Sequence, residues 1–354
     1  MKCKKILTGV LAGLMTFSAF GGVQAATREE ISAIKVTKAK HFQYWSSESA
    51  AKQKLIDYIK DVTNKRSQNF IPVEDRIAVF DMDGTILCET APYYFDGMLF
   101  IHRALYDKNY AADKSDKDFA LMLEKCIRTK DFGDKLGSSA PHQASVFAGM
   151  TEAEHAAYVK KFAQTPVDGL RNLQWGEAFY LPMVEVIKYL QANDFQVYIV
   201  SGSERALVRT LVCDLLDIPT NHIIGTDIAT YAAHQNGTDG LDYTYTKDDY
   251  IVRGEFVIKN LKMNKVSVIA QEIGKQPVLA FGNSSGDAAM FNYTITNNKY
   301  KSLAFTLLCD DTTRELGNIS AAEKMKKSAA ENGWIPVSMK NDFKTIYGDN
   351  VTKK

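Results

Sequence analysis

The chain has 354 residues, 45% hydrophobic and 24% charged, with 43 Lys and Arg against 42 Asp and Glu and a net charge of +1. This composition supports an ordinary globular core, in one large domain or two smaller ones, and excludes wholesale disorder. Nothing in this near-neutral balance suggests the basic face that a nucleic-acid binder needs.

Residues 1–25, "MKCKKILTGVLAGLMTFSAFGGVQA", place Lys2, Lys4 and Lys5 before an apolar run from Ile6 to Phe20 and end on Val23-Gln24-Ala25. That order predicts a cleaved secretory signal peptide, the run being short for a membrane span. An uncleaved anchor is the alternative. Cleavage removes three lysines and no acid, so the net charge falls from +1 to −2. The mature protein is expected to be exported, periplasmic or extracellular, without stable membrane insertion. Cys88, Cys126, Cys213 and Cys309 remain, at spacings that give no zinc pattern. Export permits disulfides among them without requiring any.

Residues 26–72 read as an N-terminal helical segment, with apolar residues at helical spacing in "AAKQKLIDYIKDVTNK". Ile77 to Phe80 is wholly apolar and predicts a buried strand. It runs into Asp81 and Asp83, then Gly84 and Thr85. A long helical stretch is expected from about Tyr93 to about Ala163, with Thr151 and Glu154 at capping-box spacing. His142 and His155 within it have no visible set of co-ligands and read as solvated or packed side chains. "LPMVEVIKYLQANDF" is a helix with Pro182 in its first turn. It feeds a second strand, "QVYIV", which ends at Ser201-Gly202-Ser203. "ERALVRTLVCDLL" is helical. Asn236-Gly237 and Asp239-Gly240 mark turns in a strand-rich insert reaching about Val257. "NKVSVIAQEIG" is helical, "PVLAF" is a strand ending at "GNSSGD" (282–287), and "SLAFTLLC" is a further strand.

Strands alternating with helices predict an α/β fold, a doubly wound parallel sheet with helices on both faces. Ligands bind such sheets at the carboxyl ends of the strands. Three strands here end in polar clusters: Asp81 and Asp83, Ser201 and Gly202, Asn283 and Asp287. Two acids at one strand end repel each other unless a cation lies between them. Mg²⁺ suits the oxygens available, taking one or two carboxylates plus water and substrate phosphate. One carboxylate can attack phosphorus, and the second can protonate the leaving oxygen and later activate water. Ser201, the Gly202 amide and a lysine can surround the equatorial oxygens.

In this order, D-x-D-G-T after an apolar strand, Ser after a second, a lysine, and G-N-S-x-G-D after another resemble the four motifs of the haloacid dehalogenase superfamily, phosphatase branch. "RIAVFDMDGT", "VYIVSGSE", "PVLAFGNSSGDAAM" and "GWIPVSMKNDFKTIY" are similar to exported bacterial members related to phosphoserine phosphatase. The resemblance covers roughly residues 74–311. It implies a Rossmann-like core (73–90 and 180–354) with a helical cap (91–179) inserted after the first motif, closing over the site to exclude water. It implies Asp81 as nucleophile and Asp83 as general acid and base. Ser201, Gly202 and Lys265 are expected to bind phosphate, with Lys259 and Lys262 as rivals for the lysine. Asp81, Asp83 (through its backbone carbonyl), Asn283 and Asp287 are expected to hold Mg²⁺. Two positions depart from the pattern. The last motif carries Asn283 where an acid is usual, and the substrate-reading glutamate of phosphoserine phosphatases is replaced by Thr90, with Glu89 just before it.

The expected function is an exported Mg²⁺-dependent phosphomonoesterase acting on a small phosphate ester through an aspartyl-phosphate. Two alternatives stay open: a dehalogenase-type hydrolase attacking carbon, and a secreted binding protein on an inactive hydrolase fold. Glu89 is the candidate for substrate specificity. With Tyr93, Tyr94 and Phe95 close behind it, it suits a cationic group on the leaving alcohol; otherwise the aromatics pack the cap and Glu89 braces the loop. The sequence does not indicate the oligomeric state.

Overall fold

The structure is a computed structural model and describes residues 25–132 and 138–354. Apart from Ala25, the expected signal peptide lies outside the described residues. Among those described, no helix is long and apolar enough to cross a membrane.

In chain order the strands are β1 (Ile77–Phe80), β2 (Leu170–Arg171), β3 (Gln196–Glu204), β4 (Ile223–Ala232), β5 (Ile251–Ile258), β6 (Leu279–Gly282), β7 (Leu303–Leu308), β8 (Ile335–Ser338) and β9 (Thr352–Lys353). Seven of them form one sheet in the order β5-β4-β3-β1-β6-β7-β8, and β2 pairs with β9 apart from it. Pairings within the large sheet are parallel except β4 with β5.

β1 is central and buried along its whole length. Its side chains alternate between two cores, as strand periodicity requires. Ala78 and Phe80 join the larger core, and Ile77 and Val79 the one on the other side. Phe80, Phe281 and Phe305 stack across β1, β6 and β7 with ring centroids 4.3 and 5.0 Å apart. This fixes β1 and β6 in register, Phe80 opposite Phe281, so the residues that follow them emerge side by side.

The N-terminal helix Ala50–Thr63 buries Leu55, Ile56, Ile59 and Val62 in the larger core. Tyr58 donates to the carbonyl of Lys301 at 2.9 Å.

The long helical stretch expected between β1 and β3 is broken into Phe95–Ile101, Lys114–Thr129, Ala140–Ser145 and Glu152–Ala163. Local chemistry makes the breaks. Asp113 caps the second helix and Lys130, in the left-handed region, ends it. Thr151 and Glu154 form the expected capping box on the last. The strand-rich insert is a β4–β5 hairpin that extends the main sheet. Arg253 on β5 donates its N–H to the Met150 carbonyl at 2.9 Å and accepts from Gly149 N at 2.8 Å, tying the hairpin to the turn before the helix Glu152–Ala163. β8 is an element that the sequence reading did not assign.

His155 is packed, as read from the sequence. It is 1% exposed, its Nδ1 has no partner, and Phe147 meets it edge-on at 5.0 Å. Burial, helped by nearby Arg253, pushes its pKa down to about 3. Between pH 6.5 and 3 the unfolded chain therefore binds a proton here that the folded chain does not. The stability contributed is present above pH 6.5 and is lost as the pH falls, by up to about 1.4 kcal/mol per pH unit. His155→Gln should flatten this part of the acid limb, read as urea midpoints at pH 7 and pH 5. An unchanged difference between the two midpoints would contradict the assignment.

Candidate active site

The chain leaves β1 at Asp81 and turns at once. The Met82 carbonyl accepts from the N–H groups of Thr85, Ile86 and Leu87 at 3.2, 2.9 and 3.0 Å. Gly84 makes this turn possible with φ +74°. A Cβ there would also lie 2.0 Å from Asn283 Nδ2 and 2.4 Å from Glu89 Cδ. Asp81 and Asp83 thus both face the carboxyl end of the sheet, each 7% exposed.

Lys265 joins the first and last motifs. It is fully buried, and its Nζ donates to Asp81 Oδ1 at 2.6 Å and to Asp287 Oδ1 at 2.7 Å. Burial works against its charge, but Asp287 and Asp81 more than offset this and hold the ammonium above its usual pKa. The rivals are placed differently. Lys262 is exposed in the left-handed region, its backbone N–H on the Gly286 carbonyl. Lys259 is half-buried, near enough to favour the ionised form of Asp83 slightly.

Asp287 caps the glycine-rich turn after β6. Its Oδ2 accepts from Asn283 N at 3.1 Å and Ser284 N at 3.0 Å. Gly282 permits this closeness, since a Cβ there would lie 2.6 Å from Asp287 Cγ. Asp81 is held above the usual carboxylate range by burial and by Asp287, against the pull of Lys265. Asp83 is also held well above that range, by burial first, then by Asp96 and Asp81.

β3 does not end before Ser201 as expected but runs on to Glu204, with an irregular register against β4 after Val200. The Ser201 hydroxyl is buried and accepts from Ser203 N at 3.0 Å. The Gly202 carbonyl accepts from Thr226 at 2.6 Å. Two contributors were not read from the sequence. Asn260 donates to the Ser201 carbonyl at 3.0 Å while its own Oδ1 is buried without a partner. Ser203 donates to Asp83 Oδ2 at 2.7 Å. Only the third residue of "SGSE" hinted at Ser203, and nothing hinted at Asn260.

Glu89 accepts from Asn283 Nδ2 at 2.8 Å. The Asn283 amide oxygen takes a long 3.5 Å bond from Thr85. Burial and the nearby acids push Glu89 up to about 8, the Asn283 bond opposing. The aromatics behind it divide. Phe95 is buried and Tyr93 stacks on Phe132 at 5.3 Å, so both are taken up in packing. Tyr94 is 37% exposed, and the Glu89 charge is the first cause of its raised pKa. Thr90 donates to buried Glu315 at 2.5 Å and so faces away from a substrate role.

The donor set fits a hard cation. Of three buried carboxylates, Asp81 and Asp287 share one buried ammonium, while Asp83 has the Ser203 hydroxyl on Oδ2 and a buried Oδ1 with no partner. Uncompensated charge of that kind is costly. Among the described residues, no three His, Cys, Asp or Glu side chains form a complete metal cluster.

A family model for haloacid dehalogenase-like hydrolases matches residues 78–292, more than half of the chain. The protein belongs to that family of hydrolases. The sheet agrees with a structure of a conserved protein of unknown function from Anaerococcus prevotii, at 12% identity over 85% of this chain and 95% of that one, with a TM-score of 0.51. Similar too are a protein of unknown function from Bordetella pertussis (14% identity, 74% and 97% covered, TM-score 0.47) and cytosolic 5'-nucleotidase IIIB bound to cytidine (12%, 82% and 86%, 0.48). No curated protein matches the chain significantly.

Proposed function

We propose that the protein is an exported Mg²⁺-dependent phosphomonoesterase that hydrolyses small organic phosphate esters through an aspartyl-phosphate on Asp81. One observation carries the reading: Asp81 is bridged by Lys265 to Asp287, while Asp83, two residues on, keeps one carboxyl oxygen free. A nucleophile, a cation and a second carboxyl at one strand end are what transfer of a phosphoryl group to and from a carboxylate requires. Export rests on the composition of residues 1–25.

In the first step an Asp81 oxygen attacks phosphorus and the ester P–O bond breaks. Its electron pair stays on the leaving oxygen, which takes the proton of Asp83. In the second, Asp83 as carboxylate takes a proton from water, the water oxygen attacks phosphorus, and the bond to Asp81 breaks to free phosphate. Lys265 holds Asp81 in place and neutralises charge on the phosphoryl oxygens, with Ser201 and the Gly202 amide as further donors. Asp81, Asp287 and the Asp83 carbonyl would hold Mg²⁺, with Asn283 contributing directly or through water. When bound, the ion would offset the negative charge of the phosphoryl group.

A dehalogenase attacking carbon has no use for an acid at Asp83, and a retired binding fold has no use for a buried Asp-Lys-Asp bridge. One experiment separates the three: phosphate release from a panel of phosphate esters with and without EDTA, beside halide release from a haloacid. Phosphate release that EDTA abolishes and added Mg²⁺ restores is expected. Halide release, full phosphatase activity in metal-free buffer, or neither activity would reject the reading.

A further inference from the structure

We propose that Ser203 positions the general acid: its hydroxyl occupies Asp83 Oδ2 and so leaves Oδ1 as the oxygen that carries the proton to the leaving group. The inference rests on the phosphatase reading and assigns a residue that reading does not need. Ser203 is 3% exposed, and its Oγ lies 2.7 Å from Asp83 Oδ2 and 3.3 Å from Asp96 Oδ2 on the first cap helix. A hydroxyl has one hydrogen to donate, and the shorter contact gives it to Asp83. Asp83 Oδ1 is then the buried oxygen without a partner. A carboxyl is free to turn about its broad terminal torsion unless something holds one oxygen.

The backbone that carries the hydroxyl is itself held. Ser203 N donates to Ser201 Oγ at 3.0 Å, and the neighbouring Gly202 carbonyl is fixed by Thr226 at 2.6 Å. As the proton passes from Oδ1 to the ester oxygen and the P–O bond breaks, Asp83 becomes a carboxylate. The Ser203 bond then becomes charge-assisted and strengthens. It is stronger at the transition state than before it, which is the kind of interaction that speeds a step. Ser203 touches neither phosphorus nor the leaving group in this scheme, so it is a positioning residue.

The test compares kcat/KM, which reports the steps up to release of the alcohol, for an alkyl phosphate and for p-nitrophenyl phosphate. The nitrophenolate leaves with little need of a proton. Ser203→Ala should lower the alkyl value by about 10-fold or more, with a clearly smaller loss on the aryl ester. Ser203→Thr, which keeps the hydroxyl, should restore the ratio. In an Asp83→Asn background, Ser203→Ala should leave the ratio where Asp83→Asn put it. Thermal unfolding followed by circular dichroism checks the fold; should Ser203→Ala fail to fold, Ser203→Cys, a weak donor, takes its place. Equal losses on both esters, or an unmoved ratio, overturn the proposal and leave the phosphatase reading standing. Wild-type protein that hydrolyses neither ester fails the reading itself.

Discussion

Asp81→Asn is expected to lower turnover by a factor on the order of 10⁵ or more, the scale seen when a covalent nucleophile is removed. The amide is nearly isosteric, so the strand, the turn and the hydrogen bond from Lys265 can all persist. What is lost is the anionic oxygen that forms the bond to phosphorus, since a neutral amide is a poor nucleophile. Turnover and phosphoryl-enzyme formation should vanish together while the unfolding midpoint moves little. The amide also removes a buried negative charge that burial and Asp287 already penalise, so stability should hold or rise. Substantial residual turnover in Asp81→Asn would mean that another group, or water, attacks phosphorus directly.

Lys265→Met should have the second largest effect, and it should appear in stability as well as activity. The ammonium is fully buried between Asp81 and Asp287. Removing it leaves two buried carboxylates facing each other with no cation between them. Breaking one side of a buried pair costs about 3–5 kcal/mol, and the two acids here also repel. The folded variant would escape part of this cost by taking up a proton. Urea unfolding at neutral pH should therefore show a loss of this size that shrinks as the pH is lowered. Phosphatase activity should fall with it, since Asp81 is no longer held or its charge balanced. A variant of wild-type stability would show that the bridge is not what assembles the site.

Much of this site was legible because the signals were local. Ile77–Phe80 is apolar on both faces, which only a central strand tolerates, and Asp81, Asp83 and Gly84 follow it directly. The parallel sheet followed from the alternation of strands and helices. What was not legible depends on contacts distant in sequence. Glu89 finds Asn283 across 194 positions, so its partner had no local trace. Lys265 is one of three lysines within seven positions, and only its contacts with Asp81 and Asp287 separate it from Lys259 and Lys262, which lie before the helix Met263–Val268. Ser203 was obscured because "QVYIV" reads as a complete strand, whereas β3 continues through an irregular register to pair Glu204 with Thr226. The breaks between the helices that separate β1 from β3 hang on single residues such as Asp113 and Lys130, which count for little against a long helical pattern. β8 is four residues long, too short to show a period.

The central claim is the covalent intermediate, and trapping it is the most direct measurement. Purified protein is mixed with Mg²⁺ and a phosphate ester, quenched in acid within the first turnovers, digested and read by mass spectrometry. The account predicts a phosphorylated peptide containing Asp81, its modification removed by hydroxylamine as an acyl phosphate is, and absent from Asp81→Asn. In Asp83→Asn it should accumulate, because the base that activates water for the second step is gone. Active enzyme that shows no phosphorylated peptide at any quench time, or carries phosphate on a residue other than Asp81, would contradict it.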